Sequence, residues 1–395
     1  MNKLFFCFMI ISIYFLSGCW DRSEIEEIGF VSGIGLDPVE DFEKEVESLQ
    51  RENKSKVDHL LKSTYQVAIP SNLIQENGGG QEEPFFNITT TGMTNFKMIR
   101  QIAARRSRVL SFEHIKVIII NEELLRHEHF LENLLDFYLR DHDMRRRTDI
   151  IISTGAAEEV LQDKLPLEDM PSISIKHIRE NEARVPGMLG ERTIGMVQRF
   201  VMGKNSFLLP RIVKREGKDL KIGGAAIFFG KNNQIIGWLG DEEVSGYKMI
   251  MGEFGDNIIE ANYQDEMIVF DNSGMKTNIG YERKGEKDIF NVEIKAEGSL
   301  GEVWLEHINI NDMRVMEELE RAFEAEIQSK VTTIIKKMQE EFAADIFEFN
   351  EKVRQKNYRY WKTVQDDWDG ENGMFQNADI TVNPKVKIRH YMLAE

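Results

Sequence analysis

Ile115-Lys116-Val117-Ile118-Ile119-Ile120-Asn121-Glu122-Glu123-Leu124-Leu125 is the stretch whose reading decides the fold. The largely β-branched run from 115 to 120 is too short for a helix and reads as a buried strand. Asn121 ends the run with a side chain that can accept an unpaired N–H at a helix start, so a helix is expected to follow at once. The alternation continues outward. Residues 130–138 carry an apolar helical face, Asp149-Ile150-Ile151-Ile152-Ser153 is another strand, and Thr154-Gly155-Ala156-Ala157-Glu158-Glu159-Val160-Leu161 turns into another helix. Strands and helices alternating at this spacing specify an α/β layer.

Upstream, Phe30-Val31-Ser32-Gly33-Ile34-Gly35-Leu36-Asp37 reads as a further buried strand. Its Gly33/Gly35 spacing matches a dinucleotide loop only in part: the third glycine is missing, and Asp37-Pro38 stands where a helix would have to begin. Residues 39–62 are densely charged and read as an exposed helical insertion. Glu40/Lys44, Glu47/Arg51, Glu52/Lys56 and Asp58/Lys62 are acid-to-base pairs four apart, each contributing roughly 0.2–0.5 kcal/mol. Strands are expected over 65–69 and 85–91, separated by a glycine-rich acidic turn that lacks the Lys-Ser/Thr of a phosphate loop. Thr94 caps a helix reaching to about 106, whose end carries Arg100, Arg105, Arg106 and Arg108, cations that the helix dipole favours there.

Downstream, prolines at 166, 171 and 186 punctuate a connector, a helix is expected over 192–201, and 221–229 and 234–239 read as paired strands joined through Gly230-Lys231-Asn232-Asn233. After a short helix over 242–251, residues 266–270, 275–279 and 289–297 alternate like strands of an antiparallel sheet. Met316, Leu319, Phe323, Ile327, Val331, Ile334, Met338 and Phe342, at steps of three and four, form the apolar stripe of a long helix packed on a core. Trp361 and Trp368 read as large core fillers, and 381–389 as a closing strand. The expected fold is thus mixed α/β and α+β. An N-terminal α/β domain (19–185) carries the insertion 39–62, 186–256 forms a connector and small middle domain, and 257–395 is a C-terminal α+β domain with an antiparallel sheet and long helices.

The N-terminus reads as a signal sequence. Residues 4–16 follow Lys3 and are apolar except for Ser12, as the core of a signal peptide should be. As a helix this segment would rise about 20 Å, short of the roughly 30 Å hydrocarbon core. Leu16-Ser17-Gly18-Cys19 then places small residues before a cysteine, the pattern a lipoprotein signal peptidase cleaves. Residues 1–18 are expected to be removed and Cys19 to carry the lipid. Cys7 leaves with the signal peptide, so Cys19 has no cysteine with which to pair. Two or more acyl chains on it would make a stable anchor.

The chain has 395 residues, 42% hydrophobic and 30% charged, with a formal charge of −17. Loss of Lys3 takes the mature chain to about −18 by the same count, a charge expected to repel phosphate backbones and anionic lipid headgroups alike, so nucleic acid is not expected as a partner. Enzyme signatures are missing: His127 and His129 fall on different helix faces, and neither a His-Glu-x-x-His nor a Gly-x-Ser-x-Gly motif is present. His114 is expected to be a structural histidine at the start of a buried strand. Arg145-Arg146-Arg147 is expected to bridge to Asp141 and Asp143 rather than bind an anion. No catalytic, metal or cofactor-binding residue is assigned.

Gly18-Cys19-Trp20-Asp21-Arg22 with Glu24, Gly35-Leu36-Asp37, Phe112-Glu113-His114-Ile115-Lys116-Val117, and Leu139-Arg140-Asp141 with Arg145 resemble, in this order, the lipid-anchored C subunits of nutrient germinant receptors in endospore-forming bacteria, the Ger(x)C family. The resemblance extends through the hairpin at 221–239 and the paired tryptophans and covers nearly the whole mature chain. It departs in the length of the insertion 39–62, in the lack of a glycine near Glu348, which would extend the preceding helix, and in the lack of a proline before Trp361. The resemblance implies a non-enzymatic lipoprotein on the outer face of the spore inner membrane, partnered by integral-membrane A and B subunits. The alternative from another class is a solute-binding lipoprotein of a transporter, which should show two similar lobes around a cleft.

Overall fold

The computed structural model describes residues 28–43, 46, 60–73, 83–141, 143–215, 217, 219–303 and 312–391. The segment 1–18, Cys19, Trp20-Asp21-Arg22 and most of the insertion 39–62 lie outside the described residues.

A nine-stranded sheet is built from β1 (Ile28–Asp37), β2 (Leu61–Ala68), β3 (Phe85–Gly92), β4 (Val109–Ser111), β5 (Val117–Asn121), β6 (Asp149–Ser153), β7 (Phe207–Lys214), β8 (Leu220–Phe229) and β9 (Gln234–Leu239). Its order is β3-β2-β1-β5-β6-β7-β8-β9, with β4 beside the start of β1. The central strands β1, β5, β6 and β7 run parallel, and the flanking pairs are antiparallel. Parallel neighbours need a crossover, and helices supply it. Asn121 accepts the N–H of Glu123 at 3.0 Å and starts the turn of 3-10 helix Glu122–Arg126, and Thr94 caps α1 (Asn95–Ala103) through the N–H of Lys97.

The apolar run at 117–120 is unbroken because the sheet is covered on both faces. Ile118 and Ile120 enter a core with α1, α2 (Phe130–Arg140) and α5 (Ile194–Gly203), whereas Val117 and Ile119 pack under α3 (Ala157–Val160) and α4 (Pro171–Arg179). Gly33 and Gly35 serve this second packing rather than a cofactor. A Cβ on Gly33 would lie 2.8 Å from Ser172 Cβ, and one on Gly35 3.1 Å from the Ala157 backbone.

The small middle domain expected over 186–256 is not a body of its own. Strands β7 to β9 continue the N-terminal sheet, and period-two alternation gives them two cores to serve. Phe207, Leu209, Ala226 and Phe228 belong to the first core, while Leu208, Ala225 and Ile227 belong to a second with α6 (Asp241–Met251) and the C-terminal elements.

That second core lies under a four-stranded sheet, β10 (Ile258–Tyr263), β11 (Glu266–Lys284), β12 (Lys287–Val303) and β13 (Asp379–Tyr391), in sequence order. The segments expected as separate strands at 266–270 and 275–279 are one strand, because an irregularity between Asn272 and Gly274 absorbs the polar interruption. Nor is the sheet wholly antiparallel. The chain leaves β12, crosses through α7 (Met313–Lys337), and returns as β13 parallel to β12. Leu319, Phe323, Ile327, Val331 and Ile334 on α7 are fully buried, and a π-helical turn, Met338–Phe342, ends the helix.

The α7 side chains also cover the free edge of β13. Glu324 accepts the N–H of Val386 at 3.2 Å, Glu320 that of Ile388 at 3.0 Å, and Gln328 donates to Val382 O at 3.2 Å. Pro384, between them, has no N–H to expose. An edge that would otherwise template another strand is thereby closed.

Candidate functional site

Ligands of open α/β sheets bind beyond the C-terminal ends of the parallel strands. Here that position is taken by the chain's own anion. Asp37, buried at the end of β1, accepts the N–H groups of Ala157 at 2.7 Å and Glu158 at 2.9 Å and the side-chain amide of Asn121 at 3.1 Å. Lys62 closes the arrangement on Glu158 at 2.6 Å, and that hydrogen bond holds its ammonium above the usual lysine range. Asp37 and Asn121 thus join β1, β5 and α3.

The other residues singled out in the sequence are scattered. His114 lies in the exposed loop before β5 rather than at the start of a buried strand, its ring edge-on to Phe30 at 5.4 Å. His129 caps α2 in the left-handed region, with φ 57°. Arg145, Arg146 and Arg147 are exposed and form no ion pair among the described residues, so the expected bridges to Asp141 and Asp143 do not hold them. Arg140 pairs with Asp136 at 2.8 Å on the surface of α2.

A more organised site lies where the N-terminal sheet meets the C-terminal helices. After the π-helical turn the chain reverses at Ala343 (φ 48°) and again at Glu348 (φ 60°) before α8 (Phe349–Lys356). The missing glycine therefore does not extend the helix; Glu348 adopts the glycine-like conformation itself. The reversal is held by Asp345. One carboxylate oxygen accepts the N–H groups of Phe347 at 3.0 Å and Phe349 at 3.3 Å, and the other accepts those of Asn350 at 2.8 Å and the Trp368 indole at 2.9 Å.

Asp369 extends the network. It accepts the N–H of Asp345 at 2.8 Å and the hydroxyl of Ser206 at 2.6 Å, and Ser206 in turn accepts the N–H of Gly230 at 3.0 Å. The start of β7 and the β8–β9 turn are thus tied to the loop after α7. Burial, reinforced by the charge of Asp369, pushes Asp345 up to about 7 against the pull of its N–H donors; burial likewise raises Asp369. Above them opens a cleft of about 850 Å³. Lys204, Lys231, Glu351 and Asp366 are among the residues that line it, and its wall includes Trp361, from α9 (Tyr358–Val364), and Trp368, whose rings meet edge to face at 5.7 Å. Both buried carboxylates are occupied by donors of the fold, so the arrangement is a clasp between the two halves.

Two further cations are buried. The buried pair Arg179–Asp149 meets at 2.9 Å. Lys248, on α6, is also fully buried and donates to the carbonyls of Glu182 at 2.8 Å and Val185 at 3.1 Å, burial pushing its ammonium down to about 8.

Comparison with known proteins places this geometry. Residues 21–214 match the spore germination protein N-terminal domain, and residues 223–392 match the domain described as spore germination B3/GerAC like, C-terminal. The chain belongs to the Ger(x)C family. It is 29% identical to spore germination protein YndF of Bacillus subtilis (strain 168), over 98% of this chain and 95% of that one. It is 24% identical to spore germination protein B3 of the same strain, over 98% and 97%. The crystal structure of the GerBC protein has the same fold, with a TM-score of 0.60 at 22% identity, covering 93% of this chain and all of that one. In this Ger(x)C chain the Gly35-Leu36-Asp37 motif supplies the α3 cap, and the paired tryptophans supply the wall of the clasp.

Sequence reasoning did not find Asp345, Asp369, Ser206 or Lys248. The signal for Asp345 was present as a lone acid inside Ala343-Ala344-Asp345-Ile346-Phe347, because a charge in an apolar run just after a helix must be paid for by donors nearby. Ser206 and Lys248 carry no such signal, since their partners lie 163 and 66 residues away in the chain.

Proposed function

We propose that this chain is the lipid-anchored, non-enzymatic C subunit of a nutrient germinant receptor complex acting in spore germination. In this reading Cys19 bears the lipid, the body lies on the outer face of the spore inner membrane, and integral-membrane A and B subunits are its partners. The observation that carries the reading is the pair of spore germination domains matched in order along nearly the whole chain. The apolar segment ending in Leu16-Ser17-Gly18-Cys19 supports the anchor. The buried carboxylates support a non-catalytic role, because backbone, indole and hydroxyl donors occupy them. The solute-binding alternative calls for two similar lobes, whereas a nine-stranded sheet faces a four-stranded one here.

The reading is tested by replacing Cys19 with Ala in the spore-forming host. The expected result is an unlipidated, uncleaved precursor together with impaired germination on the cognate nutrient. Normal processing of that variant refutes the anchor. Intact nutrient germination after gene deletion, with uptake of a solute abolished, refutes the receptor role.

A further inference from the structure

The net charge of −17 conceals a local excess of the opposite sign. Val109 pairs with Ile28 where β1 begins. Lys116 donates its N–H to Ser32 O at 2.8 Å and accepts that of Asp149 at 3.3 Å, which places it level with β1 on one side and the start of β6 on the other. Arg145, Arg146 and Arg147 immediately precede β6, and Arg106 and Arg108 immediately precede β4. These six cations therefore collect at one end of the layer, where the parallel strands begin. All six are exposed, and none pairs with a carboxylate among the described residues. The acids in the same loops are Glu113, Asp141 and Asp143, and the β2–β3 connection, which opens at this end because Phe30 pairs with Ala68 and Ala68 with Phe85, adds the exposed Glu83, so these six cations stand against four acids among the described residues there. Val109, an apolar side chain, is 65% exposed in their midst.

The second observation is where the link to Cys19 enters. Eight residues (20–27) separate Cys19 from Ile28, and the nine Cα-to-Cα steps across them span at most about 30 Å. If Cys19 is lipidated, as proposed above, the end of the layer where β1 starts is held close to the bilayer. The end carrying Asp37 and Ser153 points the other way along the strands. The link itself carries Asp21, Glu24, Glu26 and Glu27 against Arg22, so any attraction to anionic lipid has to come from the folded face.

We propose that this basic end of the N-terminal layer is a docking face for an anionic phospholipid surface. Its cations lie within reach of headgroup phosphates, and Val109 enters the interface between them. Such attraction falls off over a Debye length, about 8–10 Å at physiological salt, so it requires the short link to bring the face to the lipid.

The test uses the mature lipidated chain, whose own thiol is consumed by the lipid, so one introduced cysteine takes one fluorophore. Val109→Cys and, at the opposite end of the layer, the exposed Thr154→Cys are labelled and reconstituted into vesicles carrying a nitroxide quencher at headgroup depth. Quenching at 109 and not at 154 is expected in phosphatidylglycerol-containing vesicles. It should be lost in pure phosphatidylcholine, at high salt, and in the Arg145→Glu, Arg146→Glu, Arg147→Glu triple variant, whose thermal unfolding should be unchanged. Equal quenching at both positions, or quenching indifferent to lipid charge, overturns the proposal. Quenching at 109 only after integral-membrane partners are added also overturns it, assigning the face to protein. A lipidated chain without quenching at 109 refutes the face and leaves the anchor. Charge-dependent quenching at 109 that is equally strong in an unlipidated Cys19→Ala chain overturns the role given to the link, and a mature chain from the spore-forming host whose mass shows no lipid on Cys19 refutes the anchor independently of the quenching.

Discussion

Replacing Asp345 with Ala should open the clasp between the two halves. The substitution removes the acceptor of three buried backbone N–H groups, those of Phe347, Phe349 and Asn350, and of the Trp368 indole. A buried donor left without a partner costs about 1–3 kcal/mol. Some of the four would be reached by water entering the space the carboxylate leaves, so the expected loss is about 3–5 kcal/mol rather than the full sum. Urea denaturation measures it through a lowered midpoint, and hydrogen exchange of the Trp368 indole reports the site directly. The pH dependence has a definite sign. The Asp345 carboxyl is raised from 3.8 to about 7 in the fold, so the folded form binds the extra proton between those values. Its contribution to stability therefore falls as pH rises through that window and is recovered as pH is lowered. The gap between wild type and variant should widen as pH falls from about 7 to about 5. An unchanged midpoint together with unchanged indole exchange would refute the clasp. A gap that narrows on acidification would refute the direction of the carboxyl's shift.

Two further outcomes follow from the backbone and the sheet edge. Glu348→Gly should stabilise the protein by about 0.5–1 kcal/mol in thermal unfolding, because Glu348 holds φ 60°, a conformation that costs an L side chain about 1 kcal/mol and glycine almost nothing; a loss of stability would show that the Glu348 side chain supplies something the strain does not outweigh. The double change Glu320→Ala, Glu324→Ala should free the edge N–H groups of Val386 and Ile388, seen as faster amide exchange at those two positions and as concentration-dependent self-association in light scattering; unchanged exchange would mean that the glutamates do not shield the edge.

How much of this was legible in the chain depends on the range of the interaction. The strand at 117–120 and its Asn121 stop, the Thr94 cap and the α7 stripe could all be read because each signal lies within a few residues of what it specifies. The division into domains could not be read at 186–256. Strands β7 and β8 alternate between two cores, and a sequence shows that both faces are apolar without showing what covers them. Likewise the polar interruption at Asn272-Ser273-Gly274 looks like the end of a strand, whereas pairing along β12 carries the strand through it. His114 was misplaced for a related reason: the loop before β5 extends further than the apolar run suggests. The basic end of the layer was hidden by the net charge, which sums over a surface and does not locate charges on it.

By itself, then, the sequence determined what short-range physics determines: a mixed α/β chain whose central strands are covered on both faces, a long amphipathic helix, and the ordered motifs of the Ger(x)C family. Only the tertiary structure decided that the first sheet continues to β9, that β13 returns parallel to β12, and that Asp345, Asp369 and Ser206 meet. The physical reason is the same in each case. A strand, a carboxylate or a hydroxyl states locally that it needs partners, and the path of the chain through space selects which partners it gets.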